Sequence, residues 1–173
     1  IIALNKPFGV ICQFSGDEKT LAKYIDIPNI YPVGRLDKDS EGLVILTNDG
    51  KLQNKISHPK YNKIKTYIVQ VEGEINDTAT MALEKGVELK DGITKPAVVK
   101  KIEEPSWLWT RSPPIRVRKN IPTSWIEISI IEGKNRQIRR MTASVGFPTL
   151  RLIRTSIDQW NLGNLPSGSY VTL

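Results

Sequence analysis

A chain of 173 residues, 39% hydrophobic and 25% charged, is long enough for one substantial core. Its longest apolar runs, Leu43 to Leu46 and the interrupted Ile126 to Ile131, fall far short of the roughly 20 residues that span a bilayer. No secretory signal is visible. One cysteine and one histidine exclude Cys/His zinc sites and leave a histidine-assisted nucleophile only His58, which precedes Pro59 at an expected helix end and reads as a surface residue. Cys12 follows Val10 and Ile11 and reads as a small buried thiol, and a single thiol fits a reducing cytoplasm. Any catalysis therefore falls to carboxylates, Lys, Arg, Tyr and backbone dipoles. The net charge of +7 is concentrated between Arg111 and Arg140, where eight basic residues face two acidic ones. Clustering of this kind is the footprint of a polyanionic partner, nucleic acid before a merely solvated face.

In chain order, Ile2 to Asn5 reads as a short strand stopped at Lys6-Pro7, because proline fixes its own backbone and biases its predecessor to extended geometry. Thr20 to Ile25 fits a short helix, and Pro32 to Asp37 is too rich in glycine and charge to be core. Gly42 to Thr47 is a buried strand, closed by Asn48-Asp49-Gly50, a turn able to cap a helix from Lys51 to about Ser57. Thr66 to Val71 alternates as a strand, with Tyr67, Val69 and Val71 on one face. Asp77 is the expected cap of a helix to Lys85, ended by Gly86, and Asp91-Gly92 marks a turn before a strand over Ala97 to Ile102.

The stretch from Glu104 to Pro122, with Trp107, Trp109 and several prolines, is an irregular basic excursion. Trp125 to Ile131 alternates again. Asn135 to Ser144 carries a helical stripe of Ile138, Met141, Thr142 and Val145. Strands adjoining through turns, with helices interspersed, predict an α+β layer on a mixed sheet.

Two segments concentrate the chemistry. Tyr31 to Thr47 places Asp37, Asp39 and Glu41 beside Arg35 and Lys38 in a glycine-flanked loop feeding a buried strand, a setting that commonly displays catalytic groups. A turn whose Asp and Ser satisfy their own backbone fits these residues equally well. A metal-dependent nuclease built on the three acids is a further reading, weakened by the adjoining cations. In the second segment, Glu132 to Met141, a strand ends at Gly133 and a basic helix begins. With Ile138 at the centre of the buried stripe, Arg136 and Arg140 fall on the solvent side and Arg139 at the boundary, about 100° away.

In order and spacing, Lys6-Pro7, Gly34-Arg35-Leu36-Asp37 with Ser40-Glu41-Gly42-Leu43, Lys65-Thr66-Tyr67 and Gly133-Lys-Asn-Arg-Gln-Ile-Arg-Arg-Met resemble the pseudouridine synthase family that acts on ribosomal RNA. Arg136, where other members carry histidine, matches the small-subunit-synthase type, and Pro105 to Trp125 looks like the synthase E subgroup acting on the large subunit.

The resemblance implies the pseudouridine synthase fold, a bilobal, mixed and largely antiparallel sheet with flanking helices and a central cleft. It implies a catalytic domain over residues 1–173; many relatives carry an S4-like RNA-binding module ahead of that domain, and none is visible here. It makes Asp37 the nucleophile, Tyr67 the ring that stacks on the target base, Arg139 the partner of Asp37 and Ile138 the apolar neighbour of the base. Arg35 is assigned to the substrate, and Lys6, Lys38, Lys65, Arg116, Arg118, Lys119, Lys134, Arg136 and Arg140 to RNA. No cofactor and no metal are implied. The expected partner is large-subunit ribosomal RNA or a pre-ribosomal particle, met by a cytoplasmic monomer. A catalytically inert RNA-binding module is the alternative. The final Gly168 to Leu173 lacks a basic residue that the resemblance leads one to expect.

Overall fold

Strand β1 (Ile2–Lys6) is buried along its whole length and stops at Pro7, which has no N–H to continue a ladder. The computed structural model describes residues 1–116 and 118–173; Val117, within the basic excursion, lies outside the described residues. After a short 3₁₀ turn (Leu21–Lys23) come β2 (Tyr31–Val33), β3 (Glu41–Thr47) and α1 (Gly50–Ser57), whose Asp49 cap accepts the Lys51 amide at 2.9 Å. Strand β4 (Lys65–Glu72) is followed by α2 (Asp77–Lys85), a hairpin of β5 (Glu88–Leu89) and β6 (Gly92–Ile93), and β7 (Val98–Ile102). The chain continues through β8 (Thr123–Ile130), α3 (Gln137–Ser144), β9 (Thr149–Ile157), β10 (Trp160–Asn161) and β11 (Tyr170–Thr172). The cap of α2 is Asn76, one residue before the expected Asp77, with its Oδ1 accepting the Ala79 amide at 2.9 Å.

Among the described residues nine strands form one mixed sheet in the order β11-β1-β3-β9-β4-β8-β7, with β2 beside β3 and β10 beside β9. Most neighbours run antiparallel. The exception is the parallel seam of β3 and β9, where Glu41 faces Ile153 and Gly42 faces Arg154. Beyond that seam the same edge of β3 turns to β2, with Val33 opposite Ile45. The sheet therefore forks, and the loop Gly34 to Ser40 lies in the fork.

Each side of the fork has its own core. One gathers Val69, Val71, Leu83, Ile126, Ile128 and Met141 under α2 and α3. The other gathers Ile2, Leu4, Val10, Leu21, Val44 and Leu46, and Leu36 roots the fork loop in it. Tyr67, half-buried on β4, packs against both. This is the bilobal α+β architecture that the resemblance implies.

Glu41, only 1% exposed, is the buried anchor of the seam. It accepts Arg151 Nε at 2.8 Å and Nη2 at 3.0 Å, and the indole N–H of Trp109 at 2.8 Å. Arg151 also donates to the Trp109 carbonyl at 3.0 Å, so the basic excursion is fastened to the first residue of β3. Trp109 thus holds the loop, while Trp107 is exposed and packs against it with ring centres 6.0 Å apart. Arg111 lies over the Phe8 ring at 4.0 Å.

Removing one partner of such a buried pair strands the other charge. Glu41→Ala is expected to cost about 3–5 kcal/mol in chemical denaturation; a loss below about 1 kcal/mol would show that Arg151 finds another acceptor.

Candidate active site

The fork loop is shaped by its backbone before its charges act. Gly34 adopts a left-handed φ of 64°, and its carbonyl accepts Arg154 Nη2. Arg154 is 3% exposed and also donates from Nε to the Leu43 carbonyl at 2.9 Å, joining the beginning of the loop to the strand that follows it. A turn closes Asp37 to Ser40 through a 3.1 Å backbone bond, and the Gly9 amide donates to the Lys38 carbonyl at 2.8 Å. With Leu36 buried on one side, Asp37 projects with its side chain 42% exposed.

Across the fork, Arg136, just ahead of α3, and Arg139 within it reach this loop. Arg136 Nη1 lies 3.3 Å from Asp37 Oδ2 and 3.0 Å from Asp39 Oδ1, and Nη2 lies 2.8 Å from Asp39 Oδ2. The Arg136 hydrogen bonds hold the Asp39 carboxyl below the usual carboxylate range, so that it stays ionised. Arg139 Nη2 donates to the Asp39 carbonyl at 2.8 Å and lies 3.6 Å from its Oδ1.

Between loop, β4 and α3 opens a cavity of about 510 Å³, within the range of about 300–1,000 Å³ usual for small-molecule sites. Its lining includes Arg35, Asp37, Lys65, Tyr67, Arg136 and Ile138, with Lys134 and Arg154 beside them. Tyr67 sits where β4 and β9 shift register by one residue, which leaves Thr155 unpaired on β9. Lys65, partly buried, donates to the Glu132 carbonyl at 3.4 Å, and burial next to Arg154 holds its pKa below the usual lysine range. One exposed carboxylate thus faces a cationic pocket with one aromatic and one apolar wall.

Residues 1–144 match the family model described as RNA pseudouridylate synthase. The chain belongs to the RNA pseudouridylate synthase family. It is 54% identical to the ribosomal large subunit pseudouridine synthase E of Vibrio parahaemolyticus serotype O3:K6 over 172 residues, 98% of this chain and 72% of the relative. It is 49% identical to the synthase of the same name from Xanthomonas campestris pv. campestris over 174 residues, 98% of this chain and 93% of the relative. A crystal structure of a pseudouridylate synthase superposes with a TM-score of 0.79 at 29% identity, covering 99% of this chain and 69% of that one.

Several expected positions in this synthase take other partners. Lys6, expected to meet RNA, is fully buried and donates to the carbonyls of Pro7 and Val10 at 2.9 Å and of Lys38 at 3.4 Å. It is a tie between β1 and the fork loop, out of reach of a phosphate.

The expected pairing of Arg139 with Asp37 is replaced by contacts to Asp39, while Arg136 reaches Asp37. The helical wheel misplaces Arg136 because α3 begins at Gln137: Arg136 is the preceding residue, left-handed at φ 50°, and leaves the helix axis in its own direction. Arg140 is committed to Asp91 at the β5–β6 turn, with contacts of 2.8 and 3.1 Å. Lys38 is exposed, 3.9 Å from Glu18, and Arg116, Arg118 and Lys119 are exposed on the excursion.

The three loop acids do not converge: Glu41 is spent on Arg151 and Trp109, and Asp39 on Arg136. Among the described residues no three His, Cys, Asp or Glu side chains cluster in a metal-binding arrangement. Asp39 and Arg154 escape the sequence reading as site residues, the first as one acid among three and the second as a charge inside a strand that no pattern announces.

Burial pushes Lys6 down to about 8, against the pull of Cys12 and of the Glu41, Asp39 and Asp37 carboxylates. The unfolded chain keeps this proton up to its ordinary value of 10.5. Between those two values the unfolded state binds more protons, so stability rises with pH, and below about 8 the buried ammonium is a standing cost. Wild-type stability measured relative to Lys6→Met should therefore climb by about 1–3 kcal/mol from about pH 7.5 to about pH 10. A flat difference would mean that the three carbonyls fully offset the burial.

Proposed function

We propose that this synthase isomerises uridine to pseudouridine in large-subunit ribosomal RNA, with Asp37 as the catalytic nucleophile. The observation that carries the reading is the placement of one half-exposed carboxylate in a cationic cavity whose lining it shares with Tyr67 and Ile138. The name and identity of the Vibrio and Xanthomonas relatives support the choice of RNA.

In the reaction the N1–C1′ bond breaks, the uracil turns, and a C5–C1′ bond forms. C5 gives up one proton and N1 gains one, so atoms and electrons balance without a co-reactant. Asp37 assists the detachment, with Arg136 Nη1 3.3 Å from its Oδ2. A base reaches such a cavity only by leaving its stack, and the Tyr67 ring replaces the lost stacking while Ile138 closes the apolar side. Arg35, Lys65 and Lys134 at the cavity, and Lys38 outside it, offer charge to the flanking phosphates.

On the excursion, the exposed Arg116, Arg118, Lys119 and Trp107 offer further contacts to RNA. Ribosomal RNA, free or in a pre-ribosomal particle, places the work in the cytoplasm.

The test is Asp37→Asn, which keeps the shape and removes the charge. Its RNA affinity should stay within about threefold of wild type while single-turnover product falls to the detection limit. Near-normal turnover would end the assignment of Asp37.

A further inference from the structure

Asp39 holds more of the site's cationic charge than Asp37 does. Both nitrogens of the Arg136 fork rest on its carboxylate, at 3.0 and 2.8 Å, and its backbone carbonyl takes Arg139 at 2.8 Å. Asp37 meets only the flank of Arg136, through one contact of 3.3 Å. Arg139 Nε is buried without a partner, so this arginine is fixed chiefly through Asp39. A planar guanidinium seats its fork on one carboxylate at a time, and here the seat is Asp39.

We propose that Asp39 is a positioning residue for the isomerisation: it occupies the fork of Arg136 and anchors Arg139, leaving the Asp37 carboxylate with an oxygen free for the nucleotide. The inference rests on the reading of Asp37 as nucleophile. Neutralising Asp39 removes the charge that holds the fork, and the nearest remaining carboxylate is Asp37, already 3.3 Å from Nη1. Arg136 then closes on the nucleophile and masks it. Asp39 acts through Arg136, so its loss is repaired by removing Arg136 as well. A residue that merely braced the loop would show no such repair.

The experiment is a double-mutant cycle read as single-turnover rates at saturating RNA. Asp39→Asn should lose at least about tenfold in rate while its RNA affinity stays within about threefold of wild type. The Asp39→Asn/Arg136→Gln double variant should recover to within about threefold of Arg136→Gln alone. Asp39→Asn at the wild-type rate, or a double variant no faster than Asp39→Asn, overturns the proposal. The Asp39 side chain is 37% exposed, and should the asparagine variant nevertheless fold poorly, Asp39→Ser carries the same cycle. A wild-type protein that makes no pseudouridine, or an active Asp37→Asn, would instead remove the reading of Asp37 on which this one stands.

Discussion

The close approach of Gly42 to the backbone of Arg154 is the contact on which the site depends. A Cβ at Gly42 would lie 2.2 Å from the Arg154 carbonyl oxygen, and Gly42 holds a φ of 108° that other residues rarely adopt. At this seam β3 and β9 share a ladder for two residue pairs, and among the described residues only here are the two lobes joined through the sheet. Because the seam is short, the edge of β3 is free to leave β9 for β2, and the loop between β2 and β3 is forced into the gap. Arg154 reinforces the arrangement with its own side chain, which bonds the carbonyls on either side of that loop. The display of Asp37 is a consequence of sheet geometry before it is one of charge.

Charge then divides the labour within the loop. Three acids in five residues differ chiefly in burial and partner. Glu41 is sealed in the seam against Arg151 and Trp109, Asp39 is engaged by Arg136 and Arg139, and Asp37 keeps a half-exposed carboxylate at the cavity. A buried pair like that of Glu41 and Arg151 contributes little net stability over an apolar pair, but its directional bonds fix where the excursion meets the start of β3. The same economy appears in Lys6, whose charge is turned inward to three carbonyls. Lys6 therefore serves the architecture, and accessibility separates it from the basic residues proposed to meet RNA.

Much of this was legible in the residues. The alternation of Thr66 to Val71 and Trp125 to Ile131, the Asn48-Asp49-Gly50 cap and the buried run after Gly42 all appear as strands or helices within a residue or two of expectation. The cavity gathers Arg35, Asp37, Lys65, Tyr67, Lys134, Arg136 and Ile138 from three separate motifs. What stayed hidden has physical causes. Strand β9 lies at the centre of the sheet, yet Arg151 and Arg154 interrupt its apolar pattern, and their partners Glu41, Leu43 and Gly34 are more than a hundred residues away. The direction of Arg136 depends on a left-handed residue just before a helix, which periodicity cannot report. Lys6 reads as a surface cation until the carbonyls around it are seen.

The geometry is proposed to perform an isomerisation on RNA with the protein's own side chains. Nucleoside analysis of large-subunit ribosomal RNA, incubated with the protein in the presence of a metal chelator, tests it most directly. The expected result is one pseudouridine gained per RNA at a single position, with the strand intact. Intact RNA with no pseudouridine, or RNA cleaved only when metal is restored, would contradict it.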